Sequence, residues 1–140
     1  MILSLRAGAK AYINGAVIKV DRRVNLQLLN DVTFLLDTHV MQVEEATTPL
    51  RQIYFAVQSA LMDPAEAMRA AGLAGGMLLR LAPVVETREI AEALPEIARQ
   101  IEAGRHFDAM KRLRALFPVE DQIIARRARA PLRIAEGAAP

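Results

Sequence analysis

Thr47-Thr48-Pro49-Leu50-Arg51-Gln52-Ile53-Tyr54-Phe55-Ala56-Val57-Gln58 is the stretch at which the chain changes its period. Ahead of it, apolar residues tend to alternate with polar ones. From it onward they recur at spacings of three and four: Leu50, Ile53, Tyr54, Val57 and Leu61. A threonine followed by proline predicts a helix start. The hydroxyl serves as N-cap, and the proline sits in the first turn, where its missing N–H costs nothing. Ile53, Phe55, Val57, Leu61 and Met62 cover more than one face of this helix. That predicts a central core helix or an apolar surface shared with a partner. Tyr12, Phe55 and Met62 are the residues expected at such a partner or homo-oligomer interface.

Downstream the helical period persists. Asp63-Pro64-Ala65-Glu66 reads as the end of the first helix and a capping box for a second, over 64–82. Gly72, Gly75 and Gly76 weaken that helix by about 1 kcal/mol each relative to Ala, which predicts a neighbouring helix packed closely over them. Thr87 opens a third helix with Ile90, Leu94, Ile97 and Ile101 on one face, and Pro95 should kink or split it. Gly104 is a suitable residue just past its end. A fourth helix, 106–117, should stop at Pro118, and a fifth should follow with Ile123 and Ile124. From Pro131 the Ala/Gly/Pro composition reads as a flexible tail.

Upstream the chain reads as β. Leu3 and Leu5 alternate with polar neighbours, and Val24, Leu26 and Leu28 alternate with Asn25, Gln27 and Leu29. Asn14-Gly15 between Tyr12-Ile13 and Ala16-Val17-Ile18 is a strong hairpin signal, because a type I′ turn needs φ > 0 at both central residues. A short strand from Thr33 to Leu36 follows a turn at Asn30-Asp31. The expectation is an α+β fold. It has a small N-terminal antiparallel sheet of four or five short strands (1–46), a C-terminal part of four or five helices (47–130) and a tail (131–140). The connector 37–46 lacks linker composition, so sheet and helices should pack as one compact unit.

The 140 residues suffice for one domain, and the absence of cysteine excludes disulfides and iron–sulfur clusters. No run of about 18 apolar residues offers a membrane span, and no apolar core follows the N-terminal basic residues as in a signal peptide. A cytoplasmic protein is the simple reading. Catalytic patterns are missing too. His39 and His106 have no second ligand at metal spacing, and Gly72-x-x-Gly75-Gly76 lacks the strand and Lys-Ser/Thr of a phosphate loop. Neither Ser4 nor Ser59 sits in a nucleophile motif. The chain is expected not to be an enzyme, and to hold no cofactor and no metal.

The basic residues carry more information. Fifteen of the eighteen are Arg, a side chain suited to phosphate. Arg105, Lys111, Arg112, Arg114, Arg126, Arg127, Arg129 and Arg133 crowd the last thirty-odd residues. Asp108 can pair with Arg105 and Arg112, but Arg126, Arg127 and Arg129 have no acidic residue three or four positions away. A smaller cluster, Arg22-Arg23, lies between two predicted strands. The expected RNA contacts are Arg22, Arg23, Arg112, Arg114, Arg126, Arg127 and Arg129. Aromatics are few. Tyr54 and Phe107 fit core stripes, which leaves Tyr12 to stack on a base, so RNA binding would rest on phosphate contacts.

Three segments together resemble the FlbT flagellar regulators. They are Glu44 to Gln58, Ile13-Asn14-Gly15-Ala16-Val17 with Asp21-Arg22-Arg23, and Ile101 to Pro118. The resemblance implies an alphaproteobacterial cytoplasmic protein that acts on the 5′ untranslated region of flagellin mRNA. There it would affect translation and message stability, usually as a repressor. It also implies the small protein FlaF as a partner. A reading with less RNA chemistry makes the chain an adaptor for flagellin or FlaF. Residues 37–43 are less charged than the family's usual stretch. Leu5-Arg6-x-Gly8 ahead of the Ile-Asn-Gly hairpin also looks faintly like the RNA-binding regulator CsrA.

Overall fold

A computed structural model describes residues 1–129. The tail expected at 131–140, with Arg133, lies outside them. The N-terminal third forms five strands: β1 (Ile2–Leu5), β2 (Lys10–Ile13), β3 (Ala16–Lys19), β4 (Val24–Gln27) and β5 (Phe34–Leu36). All pairings are antiparallel, and the α+β class is as expected. The strands form two small sheets instead of one, β1–β4 and β3–β2–β5. A single hairpin runs through both. Leu5 opposes Val24 and Lys10 opposes Lys19, so the second ladder continues the register of the first. Residues 6–9 and 20–23 lie between the two ladders as a waist. There Gly8, at φ 82°, turns the chain out of the strand geometry. Its N–H donates to the Val20 carbonyl at 2.7 Å, and the Val20 N–H donates to the Ala9 carbonyl at 3.2 Å.

The hairpin tip turns through Asn14 and Gly15 at φ 48° and 86°, the left-handed pair that the sequence predicts. A Cβ on Gly15 would come within 3.0 Å of Pro64 Cδ, so the glycine also lets the tip touch the junction of the first two helices.

The helices are α1 (Pro49–Met62), α2 (Ala67–Leu81), α3 (Arg88–Glu102) and α4 (His106–Arg129). Thr48 caps α1 as predicted, its hydroxyl accepting from the Arg51 N–H at 3.2 Å. α1 is the central element. It packs against both α2 and α4, and it buries Leu50, Ile53, Tyr54, Val57 and Leu61. Each large apolar side chain buried this way contributes roughly 1.5–3 kcal/mol. Leu35 of β5 joins the same core, which seats the sheet on the helices.

Several helix-level expectations are corrected. The fourth and fifth helices are one, α4, continuous across Pro118. The proline ring removes one bond, to the Arg114 carbonyl, and points to solvent. Leu113, Leu116 and Glu120 are buried on either side of it and hold the helix in line. Pro95, also exposed, likewise lies inside an unbroken α3. Asp63 caps a short 3₁₀ turn, Pro64–Glu66, through the Ala65 N–H; it does not form a capping box for α2, which begins at Ala67 without a side-chain cap. Thr87 precedes α3, but its hydroxyl makes no capping bond. Among the described residues no helix packs over the α2 glycines. A Cβ on Gly72 or Gly75 would meet nothing within 4 Å, and one on Gly76 would meet only Arg80 of the same helix.

Candidate nucleic-acid interface

The N-cap Thr48 and the α1 residues Arg51, Tyr54 and Gln58 follow one another at spacings of three and four. Each is engaged from the protein side. Glu120 of α4, 6% exposed, reaches the start of α1. It accepts from the Thr48 hydroxyl at 2.5 Å, the Leu50 N–H at 3.0 Å and Arg51 Nη1 at 2.9 Å. Arg51 also pairs with Asp121 at 3.0 Å, and its guanidinium lies 4.5 Å above the Phe117 ring. One carboxylate therefore compensates the helix N-terminus, two otherwise open donors and an arginine.

The next two side chains hold the connector. Tyr54 donates to the His39 carbonyl and accepts from Arg114 Nη1 at 3.1 Å. Gln58 accepts from the Met41 N–H at 2.7 Å and donates to the Met41 carbonyl at 2.9 Å, as a strand partner would. Burial lowers the pKa of His39, and the nearby Arg114 charge adds to that. Burial also lowers that of His106. No sequence motif singles out Gln58 or Glu120. A glutamine on an apolar helix face was the available signal for the first, and nothing local marks the second.

These contacts sort the expected RNA residues. Arg114 is occupied by Tyr54, with its guanidinium 5.9 Å from the ring centre. Arg112 turns to Glu96 of α3, 3.6 Å away, and not to Asp108 as the helical spacing predicts. Asp108 pairs with Arg105 at 2.8 Å, as expected. Arg126, Arg127 and Arg129 are exposed along the end of α4, and among the described residues no salt bridge reaches them. Arg126 and Arg127 border an apolar cleft. Tyr12, Phe55 and Met62 are half-buried at the margin of the core. Phe107 stacks at a tilt on Phe34, 5.1 Å between ring centres.

A second group of exposed basic residues lies in and beside the hairpin waist. Lys10 and Lys19 face each other directly across the β2–β3 ladder, and both are exposed. Like charges in that position repel. Arg6 leaves β1 on one arm, and Arg22 and Arg23 precede β4 on the other, all three exposed. Arg6 directly follows Leu5 and Arg23 directly precedes Val24, so the two flank the last pair of the β1–β4 ladder. Asp21 is the acidic residue among them, and it takes only Arg22, at 3.5 Å. Arg6, Lys10 and Lys19 were not among the expected contacts, because their proximity follows from pairing and not from sequence distance.

Among the described residues no group of three or more His, Asp or Glu is placed to hold a metal ion, and no helix is long and apolar enough to cross a membrane. The fold and its surface define a small α+β protein that presents a cationic hairpin on a helical core. The chain belongs to the FlbT family: the family model "Flagellar protein FlbT" matches residues 1–124. It is 50% identical over 125 residues to the probable flagellum biosynthesis repressor protein FlbT 2 of Bradyrhizobium diazoefficiens, covering 89% of this chain and 92% of that one. It is 43% identical over 132 residues to the probable flagellum biosynthesis repressor protein FlbT of Allorhizobium ampelinum, covering 94% and 89% of the two chains. The Chelativorans protein of that name is 46% identical over 123 residues, 88% of this chain and 85% of its own. No solved structure matches the chain.

Proposed function

We propose that this protein regulates flagellum biosynthesis after transcription, in the cytoplasm, by binding the 5′ untranslated region of flagellin mRNA and lowering its translation and lifetime. The observation that supports this most directly is the hairpin waist. Arg6, Arg22 and Arg23 lie in it and the opposed Lys10 and Lys19 border it, all exposed, with Asp21 beside them bridged to Arg22. A phosphate backbone laid along the waist relieves the Lys10–Lys19 repulsion and releases counterions from the RNA. Tyr12 is half-buried, so the contact is phosphate-led and not built on base stacking.

The test is binding of a labelled flagellin leader RNA across a salt series. Log affinity should fall steeply with log salt, and Lys10→Ala with Lys19→Ala should reduce that slope by about 0.7 per lost phosphate contact. These exposed lysines oppose each other, so removing them leaves the ladder intact. Absent or salt-insensitive binding defeats the RNA reading. Reading the chain as an adaptor for flagellin or FlaF rests on a separate observation, the apolar cleft beside Arg126 and Arg127.

A further inference from the structure

A cleft of about 670 Å³ opens between the start of α1, the Ala82–Val84 turn, the start of α3 and the last turns of α4. Leu50 and Ile90 are buried in its lining, while Val84 and Ile124 stand 69% and 45% exposed on it. Arg126 and Arg127 border it on the α4 side. Two carboxylates also line it. Glu120 is consumed by Thr48, Leu50 and Arg51. Glu86 is exposed and lies just ahead of α3.

We infer that this cleft docks an amphipathic segment of a partner protein, with aliphatic side chains on the apolar lining and Asp or Glu residues against Arg126 and Arg127. Two features of the cleft require that combination. Exposed valine and isoleucine beside a concave apolar surface gain from aliphatic cover, which a phosphate backbone cannot supply. The two arginines at the edge carry no salt bridge among the described residues, and they select carboxylates over ammonium groups. No aromatic side chain lines the cleft to stack on a base, which separates it from a single-stranded RNA site. Glu86 on the α3 side sets direction: the segment's carboxylates lie toward α4, away from it. This docking is independent of the RNA reading, because the hairpin waist shares no residue with the cleft.

The experiment uses the full chain and a fluorescent amphipathic helical peptide of about 18 residues, built from Leu, Ala and Glu, with a Lys-for-Glu twin. Anisotropy should show the acidic peptide binding at least about tenfold tighter than the basic one. Arg126→Glu with Arg127→Glu should reverse the preference, and Ile124→Glu should weaken the acidic peptide. All three positions are exposed, so the variants fold; circular dichroism verifies this. If neither peptide binds, if the two bind alike, or if charge reversal changes nothing, the inference is overturned. It is also overturned if oligouridine RNA displaces the acidic peptide from a variant carrying Lys10→Ala and Lys19→Ala, since the cleft is then an RNA surface.

Discussion

Glu120 lies against Arg51 at 2.9 Å although 69 residues separate them, and through this contact α4 closes the N-terminus of α1. Thr48 and the Leu50 N–H depend on the same carboxylate. Removing one partner of a buried ion pair leaves uncompensated groups behind. Glu120→Ala should therefore destabilise the protein by about 3 kcal/mol, with Asp121 retaining part of Arg51's pairing. Glu120→Gln, which still accepts from Leu50, should cost less. Urea unfolding measures both, and a loss under about 0.5 kcal/mol for the alanine variant would show that the clamp does not stabilise the fold.

Gln58 substitutes for a strand partner at Met41. Gln58→Leu preserves the side chain's volume and leaves the Met41 N–H and carbonyl without partners. The expected cost is about 2 kcal/mol, with faster hydrogen exchange confined to residues 37–46. Unchanged exchange in the connector would show that other contacts hold it.

Among the described residues nothing packs on Gly72 or Gly75 of α2. Gly72→Ala and Gly75→Ala introduce methyl groups into open space within a helix. Each should stabilise by roughly 0.5–1 kcal/mol, read as a higher urea midpoint at constant slope. Destabilisation by either substitution would point to a close contact formed outside the single chain.

Stability should fall on mild acidification. The folded pKa values of His39 and His106 lie below the usual imidazole range because burial disfavours their charged forms, with Arg114 adding to this at His39. Unfolded, both bind protons more readily. Their contribution is thus intact above the unfolded value, about 6.5, and is lost progressively as pH falls through it until the folded values are passed. Thermal midpoints should drop in that window, and His39→Gln should flatten part of the drop. A midpoint independent of pH across the window would contradict the assignment.

Much of this architecture is legible locally. Asn14-Gly15 names its hairpin, and Thr48-Pro49 names its helix start. The three-and-four spacing of Leu50, Ile53, Val57 and Leu61 names the buried face. The errors cluster where a local stop signal meets a strong tertiary contact. Pro118 should end a helix, yet Leu116 and Glu120 on either side are buried and carry α4 across it. The candidate site was half visible. Arg22 and Arg23 are neighbours in sequence, whereas Arg6, Lys10 and Lys19 join them only through the shared register of two ladders.

By itself, then, the sequence determined the switch from strand to helix at Thr47, the turn, the cap and the apolar stripes, because these depend on backbone preferences and periods within a few residues. Tertiary structure alone decided which charges remain open. Arg112, Arg114 and Arg51 resemble Arg126 and Arg127 in sequence. The first three meet Glu96, Tyr54 and Glu120 from distant elements, and the last two do not. Pairing a charge requires an opposite group within a few ångströms, and which groups come that close is set by helix packing and strand register and not by separation along the chain.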